Sequence, residues 1–506
     1  MDNDVDGRKG AEMVLRQGFP RRALLGTAVL GGVVAGSGLL TGGPADADPG
    51  ATDSTGEAAA QAGQIPAGGW RAAADDVRAE LRHTYDSYRR LAFGHDQLMP
   101  VSGGFSEFFD DAHPVGLTIV EVLDTLYFMG LDAELAEGVA WVRDHLDFAA
   151  VSQPVQIFET NIRMVGGLLS GYLATGERVL LDKARGIADI LLPAFERSPT
   201  GAPYRFVVPS TGELSGTENF LAEIGTIIAE FGTLSRLVGD DRYYNAAKKA
   251  AKAVYDRRSA LDLVGTTLNI ETGAWVDPTA SIHPPVDSYF EYLFDGWDLF
   301  RDRDFRTWFD VLNRANVANE AVWLRREGQG PEHLWFARVN MDTGVLGSLR
   351  QVELTAFYAG LLGQAGDVGR GDAYLRSWTS LLSRYRVLPE VVDPLSGVAT
   401  GRGNALRPEY VDAAFTLWLV TGDDGYRRLA YDYYLRQKAD SRVPDGWTVI
   451  DDVTTTPVVH GDLTSGYWYS EQMKYWYLMF SGTDRFDYRN NYLSTEGNVF
   501  RGVRRH

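Results

Sequence analysis

From Ile162 onward, apolar residues recur at helical spacing through Ile162-Arg163-Met164-Val165-Gly166-Gly167-Leu168-Leu169 and on to Tyr172. Glycine and alanine on that face predict close packing against neighbouring helices. The helix opens on an acid, Glu159, with Arg163 one turn further along the same side. The pattern recurs. A second copy begins at Glu223 in Leu221-Ala222-Glu223-Ile224-Gly225, and a third at Glu409 in Leu406-Arg407-Pro408-Glu409. From the acid to a turn glycine (Gly176, Gly239, Gly422) is 17, 16 and 13 residues, and eight residues later stands Ala184, Ala247 or Ala430. Each helix therefore starts at an acid, stops at a glycine C-cap and hands over to a second helix, the signature of a repeat architecture. At 1.5 Å per residue the acid lies roughly 20–25 Å from its turn. A ring of such units gathers acids at one mouth and turns at the other.

Extending the pattern predicts seven apolar inner helices starting near Gly116, Glu159, Phe220, Asp287, Gln351, Arg407 and Gly466. More polar outer helices fall at 71–92, 132–147, 178–197, 241–257, 303–325, 371–386 and 424–438. The fold class is all-α dominated: seven helical hairpins closed into an (α/α)7 barrel. The loops before the inner helices, at 98–115, 200–219, 260–286, 387–406 and 440–465, are long and rich in Gly, Pro and aromatics. They are expected to add short strands at the acidic mouth. The segment Asn490-Asn491-Tyr492-Leu493-Ser494-Thr495-Glu496-Gly497 is too short for another hairpin and is expected to plug the barrel.

Charge and composition narrow the function. The 506 residues carry a net charge of −19 and no cysteine. Nucleic-acid and anionic-membrane binding are disfavoured, and disulfides, thiolate metal sites and cysteine nucleophiles are excluded. Arg8, Lys9 and Arg16 lead to Arg21-Arg22 and a mildly apolar run from Ala23 to Leu40, before Ala45-Asp46-Ala47. Residues 1–47 therefore read as a twin-arginine export signal, with a membrane anchor as the alternative. Residues 48–69 read as a flexible linker and 70–506 as the barrel domain. The expected protein is exported, extracellular and bacterial, with no stable membrane association once the signal is removed.

Glu107, Glu159, Glu223, Asp287, Glu409, Asp412 and Glu471 all fall at inner-helix starts or adjoining loops. Converging on one cavity, they would repel unless arginines, waters or a cation offset them. Arg163 and Arg407 are available. Paired carboxylates with aromatic walls, expected from Phe158, Tyr289, Trp468 and Tyr469, suit glycoside hydrolysis: one acid protonates the leaving oxygen and one carboxylate activates water. Thr495 offers hydroxyl and carbonyl oxygens of the kind that Ca²⁺ accepts.

Phe93-Gly94-His95-Asp96, Pro100-Val101-Ser102, Phe105-Ser106-Glu107, Leu123-Asp124-Thr125, Phe158-Glu159-Thr160, Asp287-Ser288-Tyr289, Leu406-Arg407-Pro408-Glu409 and Thr495-Glu496 stand in an order that resembles the class I α-1,2-mannosidases, glycoside hydrolase family 47. The resemblance implies an inverting, Ca²⁺-dependent exo-α-1,2-mannosidase that acts on high-mannose N-glycans or related mannans, as a monomer. By motif, Glu159 matches the acid that works through a water, Glu409 the general base, and Asp287 a third catalytic carboxylate. Thr495 matches the direct protein ligand of Ca²⁺. Glu107, Glu223, Asp412, Glu471 and Glu496 match positions that hold waters or the sugar, and Arg163 and Arg407 match positioning arginines. Tyr467 keeps an aromatic platform where the family has Glu-Ser-Phe and this chain has Ser465-Gly466-Tyr467. A non-catalytic mannose-glycan-binding relative of the same fold is the alternative.

Overall fold

The computed structural model describes residues 65–326 and 332–505. The proposed export signal and residues 48–64 of the linker lie outside the described residues. Inner helices alternate with outer ones along the chain. The outer set is α1 (Gly69–Leu91), α3 (Asp132–His145), α5 (Arg178–Leu191), α7 (Asp241–Tyr255), α9 (Arg303–Asn319), α11 (Val368–Thr379) and α13 (Asp424–Ser441). The inner set is α2 (Leu117–Met129), α4 (Ile157–Glu159, π-helical Thr160–Val165, Gly166–Thr175), α6 (Leu221–Gly225 and Ile228–Val238), α8 (Asp287–Phe300), α10 (3-10 Glu353–Ala356, then Phe357–Gln364), α12 (Glu409–Thr421) and α14 (π-helical Trp468–Gln472, then Met473–Ser481). Successive inner helices pack from α10 through α12 and α14 to α2, and on through α4, α6 and α8. Between α8 and α10 the outer α9 reaches across, where the Tyr358 hydroxyl donates to the Asn313 side chain. The result is an α/α barrel of seven hairpins.

The repeat has a local cause. Gly176, Gly239 and Gly422 end their helices with φ of 80°, 70° and 72°, a left-handed conformation that glycine adopts without penalty. After two of them an aspartate caps the outer helix: Asp240 accepts from Arg242 N and Asp423 from Gly425 N. Ala184, Ala247 and Ala430 are buried where outer helix meets inner.

Several boundaries differ from expectation; the helix expected over 371–386, for one, runs from Val368 to Thr379. The outer helix expected over 303–325 stops at Asn319, because Ala321–Leu324 pairs as a strand with His333–Phe336. The helix expected over 178–197 ends at Leu191, two residues before a short helical turn that starts at Pro193. The first helix begins at Gly69 rather than 71.

The mouth loops carry small antiparallel sheets, among them Gln351–Val352, Val391–Val392 and Ala399–Gly401. The chain closes with a hairpin of Tyr492–Leu493 and Val499–Arg501. Its tip enters the barrel: Asn498 Nδ2 donates to Ile162 O at 2.8 Å, Val499 N donates to Ser170 Oγ at 3.0 Å, and Lys474 Nζ donates to Gly497 O at 2.5 Å. A Cβ at Gly166 would lie 2.5 Å from Asn498 Nδ2, so the missing side chain makes room for the plug. Among the described residues no helix is long and apolar enough to cross a membrane.

Candidate active site

The inner-helix N-termini bring the predicted acids into two clusters, each built on an arginine. The first is centred on Arg163, in the π-helical turn of α4, where an extra residue per turn redirects the side chain. Its Nε donates to Glu159 at 2.6 Å and its Nη1 to Glu121 of α2 at 2.8 Å. The same Nη1 also donates to Glu496 on the plug. Burial alone would lower the Arg163 pKa, but Glu496, Glu159 and Glu121 outweigh it and hold the cation well above its ordinary value. Glu121 is 1% exposed, and a Cβ at Gly466 would collide with its Oε2. Gly466 thus admits the Glu121 carboxylate at the point where the family pattern has a serine.

The second cluster is centred on Arg407, just before α12. Arg407 Nε donates to both oxygens of Glu390, at 3.1 and 3.2 Å. The Tyr467 ring lies between the two arginines, 5.6 Å from Arg163 and 5.9 Å from Arg407, and its hydroxyl donates to Ala405 O. Beside Arg407, Glu353 of α10 lies close enough to Glu409 for each carboxylate to act on the other. Burial pushes Glu409 up, with Arg407 opposing, and pushes Glu353 well above the carboxylate range with the Glu409 charge adding to it. Two carboxylates so near each other and so deeply buried disfavour both being charged at once.

Asp287 opens α8. Burial, then the nearby Glu409 charge, pushes its carboxyl up to about 7. Asp412 is pushed to about 7 by the same two causes. One turn below Asp287, Glu291 is raised by burial and by Asp412, and is hydrogen-bonded to Thr495 of the plug. Glu471, in the π-helical turn of α14, is raised by burial and by the charges of Glu496 and Glu409.

Two predicted acids stand differently. Glu223 forms a bidentate ion pair with Arg205, at 2.7 and 2.8 Å, both side chains being buried. Glu107 is engaged by His95 Nδ1 and by Asp96 N at 3.0 Å, and burial raises its pKa while the His95 contact opposes. The expected aromatic wall is corrected: Tyr289, Trp468 and Tyr469 are 0% exposed in the core, where the Tyr289 hydroxyl donates to Ala251 O, and Phe158 alone of the four is half-buried.

Glu121, Arg205, Glu291, Glu353 and Glu390 complete the site without having been assigned a role from sequence. Glu353 was within reach, since it lies two residues past the predicted helix start at Gln351. Glu291 and Glu121 lie one turn inside their helices. Arg205 and Glu390 sit on loops, where no periodicity marks them.

The donor set fits a hard cation. Buried oxygens of Glu121, Glu353 and Glu409 have no hydrogen-bond partner. Among the described residues no group of three His, Asp or Glu side chains converges closely enough to hold an ion directly. All-oxygen donors with Thr495 at the plug tip suit an ion bound by that residue and by waters, with the carboxylates as acceptors for those waters.

An α/α barrel whose mouth holds buried carboxylates with raised pKa values beside two arginines has the parts of a glycosidase site. The family model for glycosyl hydrolase family 47 matches residues 80–502. An α-mannosidase I of Arabidopsis thaliana is 31% identical over 457 residues, which span 85% of this chain and 77% of that protein. The mouse mannosyl-oligosaccharide 1,2-α-mannosidase IB is 31% identical over 435 residues, 81% of this chain and 67% of that protein. The structure of an α-1,2-mannosidase from Trichoderma reesei superposes with a TM-score of 0.77 at 23% identity, covering 86% of this chain and 99% of that one. The chain belongs to glycosyl hydrolase family 47. It is a glycoside hydrolase. The expected bacterial, extracellular localisation is overturned: the relatives are plant, mammalian and insect proteins. The segment on which the export expectation rested lies outside the described residues.

Proposed function

We propose that the protein is an inverting exo-α-1,2-mannosidase that releases mannose from high-mannose N-glycans or related mannans, acting as a monomer. The observation that carries this reading is the pair Glu409–Glu353, with the Glu409 Oε2 buried and without a partner, close enough to Asp287 to raise its pKa. Inversion needs a base for water on one face of the sugar and an acid for the leaving oxygen on the other. Glu409 takes the proton of the attacking water as its oxygen bonds to C1. The C1–O bond breaks, and the leaving oxygen receives a proton from the acid side, shared by Glu159 and Asp287. Burial that keeps Asp287 protonated near neutrality supports its part in this. Arg163 fixes Glu159, and Arg407, clamped by Glu390, borders Glu409. Thr495 would hold Ca²⁺, which supplies a fixed positive charge for the 2- and 3-hydroxyls of the terminal mannose. Glu291, Glu471 and Glu496 then accept from the surrounding waters. The mannose specificity rests on relatives of this name. The test is hydrolysis of α-1,2-mannobiose beside its α-1,3 isomer. Free mannose is expected from the first alone. Release from neither, with Ca²⁺ present, refutes the proposal.

A further inference from the structure

A cavity of about 590 Å³ lies apart from the carboxylates and is cationic. Its lining includes Arg325, Arg326, Arg384, Ser383, Ser396 and Gly397. Arg326 is 8% exposed, and its Nη2 has no hydrogen-bond partner although its Nε donates to Pro394 O at 3.3 Å. Arg384 Nη1 donates to Ser396 O at 3.1 Å. Asp393, in the same turn, is engaged within it, accepting from Leu395 N at 3.1 Å and Ser396 Oγ at 2.7 Å. Among the described residues no carboxylate acts on Arg326: burial, then the Arg384 cation, pull its pKa below the ordinary value. In a chain of net charge −19, guanidiniums that no carboxylate among the described residues pairs mark a place suited to an anion.

The chain ties this cavity to the mouth. Its wall at 395–397 is the tip of the hairpin whose strands are Val391–Val392 and Ala399–Gly401. The strand Val391–Val392 pairs with Gln351–Val352, which leads into Glu353. Glu390, which clamps Arg407, is five residues from Leu395, a span of at most about 16 Å for extended chain. That is within reach of a branched oligosaccharide whose end occupies the mouth.

We propose that this cavity is a subsite for a phosphate group carried on the mannose chain. The inference rests on the mannosidase reading for the identity of the sugar. A phosphomonoester brings up to about two negative charges and three acceptor oxygens, enough to compensate two of the three guanidiniums, and arginine forks bind it bidentately. A carboxylate brings one charge and leaves guanidiniums uncompensated.

The test titrates the full chain with methyl α-mannoside 6-phosphate, methyl α-mannoside and inorganic phosphate, followed by ³¹P NMR and calorimetry. The phosphorylated mannoside is expected to bind at least about tenfold more tightly than methyl α-mannoside, the usual worth of a charge-assisted contact, and more tightly than inorganic phosphate, which brings no sugar. Arg384→Ala and Arg325→Ala, both exposed positions, are expected to remove that advantage. Arg326→Gln should do so as well, but the two surface variants decide the matter if it fails to fold. kcat/KM on neutral α-1,2-mannobiose should stay unchanged in all three. Equal affinity for inorganic phosphate and the phosphorylated mannoside overturns the glycan assignment. Affinity unaltered in both surface variants overturns the site. Failure of the wild type to cleave the neutral disaccharide counts against the mannosidase reading instead, because phosphate binding is read without turnover.

Discussion

Replacing Lys474 with methionine tests how the plug is held. Lys474 is 0% exposed and Asp124 1%, with Nζ 2.6 Å from Asp124 Oδ1. The ammonium also donates to Gly497 O, two residues from Thr495. Asp124 Oδ2 accepts in addition from Ser170 Oγ at 2.5 Å and from Val499 N at 3.3 Å, so one buried ion pair joins α2, α4, α14 and the plug. Methionine keeps most of the stem volume but leaves Asp124 charged and uncompensated. Removing one partner of a buried pair costs about 3–5 kcal/mol. The double variant Lys474→Met/Asp124→Asn is neutral, retains an acceptor for Val499 and Ser170, and should recover most of that loss. Urea unfolding in Ca²⁺ and in EDTA reads the stability, with the midpoint moving at constant slope. Because the tether fixes the residues around Thr495, Lys474→Met should also weaken Ca²⁺ binding. A loss under about 1 kcal/mol for the single variant, or a double variant no more stable than it, would refute the reasoning.

Glu409→Gln is expected to fold and to bind sugar while turnover falls roughly 10²–10⁴-fold, the usual worth of a general base, and near-normal turnover would remove Glu409 from the mechanism. Glu230 is pushed from 4.5 to about 8 by burial, with Tyr292 and Asn161 donating to it. Its folded pKa exceeds its unfolded one, so the stability it contributes is full below about 4.5 and lost as pH rises through about 8. Glu230→Gln should therefore melt closer to wild type at pH 6 than at pH 9, where the variant gains; parallel pH profiles would show that Glu230 does not titrate there. EDTA should abolish activity and Ca²⁺ restore it, while Thr495→Ala should weaken Ca²⁺ and mannose binding together; full activity with metal analysis showing no ion would remove the metal.

The helical hairpins were legible because they are specified locally: an apolar stripe, a left-handed glycine and a packed alanine lie within one repeat, with an aspartate cap in two of the three copies. Glu159, Glu223 and Glu409 were legible because the repeat fixes their place at helix starts. The pairing partners were not. Arg205 meets Glu223 across 18 residues and Glu121 meets Arg163 across 42, contacts that only tertiary packing creates. The π-helical turns that redirect Arg163 and Glu471 leave no trace in a 3.6-residue pattern. The aromatics Tyr289, Trp468 and Tyr469 were misplaced because apolar runs on inner helices do not say which side faces the lumen. The end of α9 was missed because Ala321–Leu324 takes its strand form from pairing with His333–Phe336, not from its own sequence.

The anomeric form of the first sugar released tests the central claim most directly. Proton NMR of α-1,2-mannobiose during hydrolysis, read before mutarotation, distinguishes the two outcomes. Water activated by Glu409 on the face opposite the leaving group gives β-mannose first, with the α-anomer appearing only as the sugar equilibrates. Initial appearance of α-mannose would mean a covalent intermediate and a nucleophilic carboxylate, and would contradict the account of Glu409 as a base.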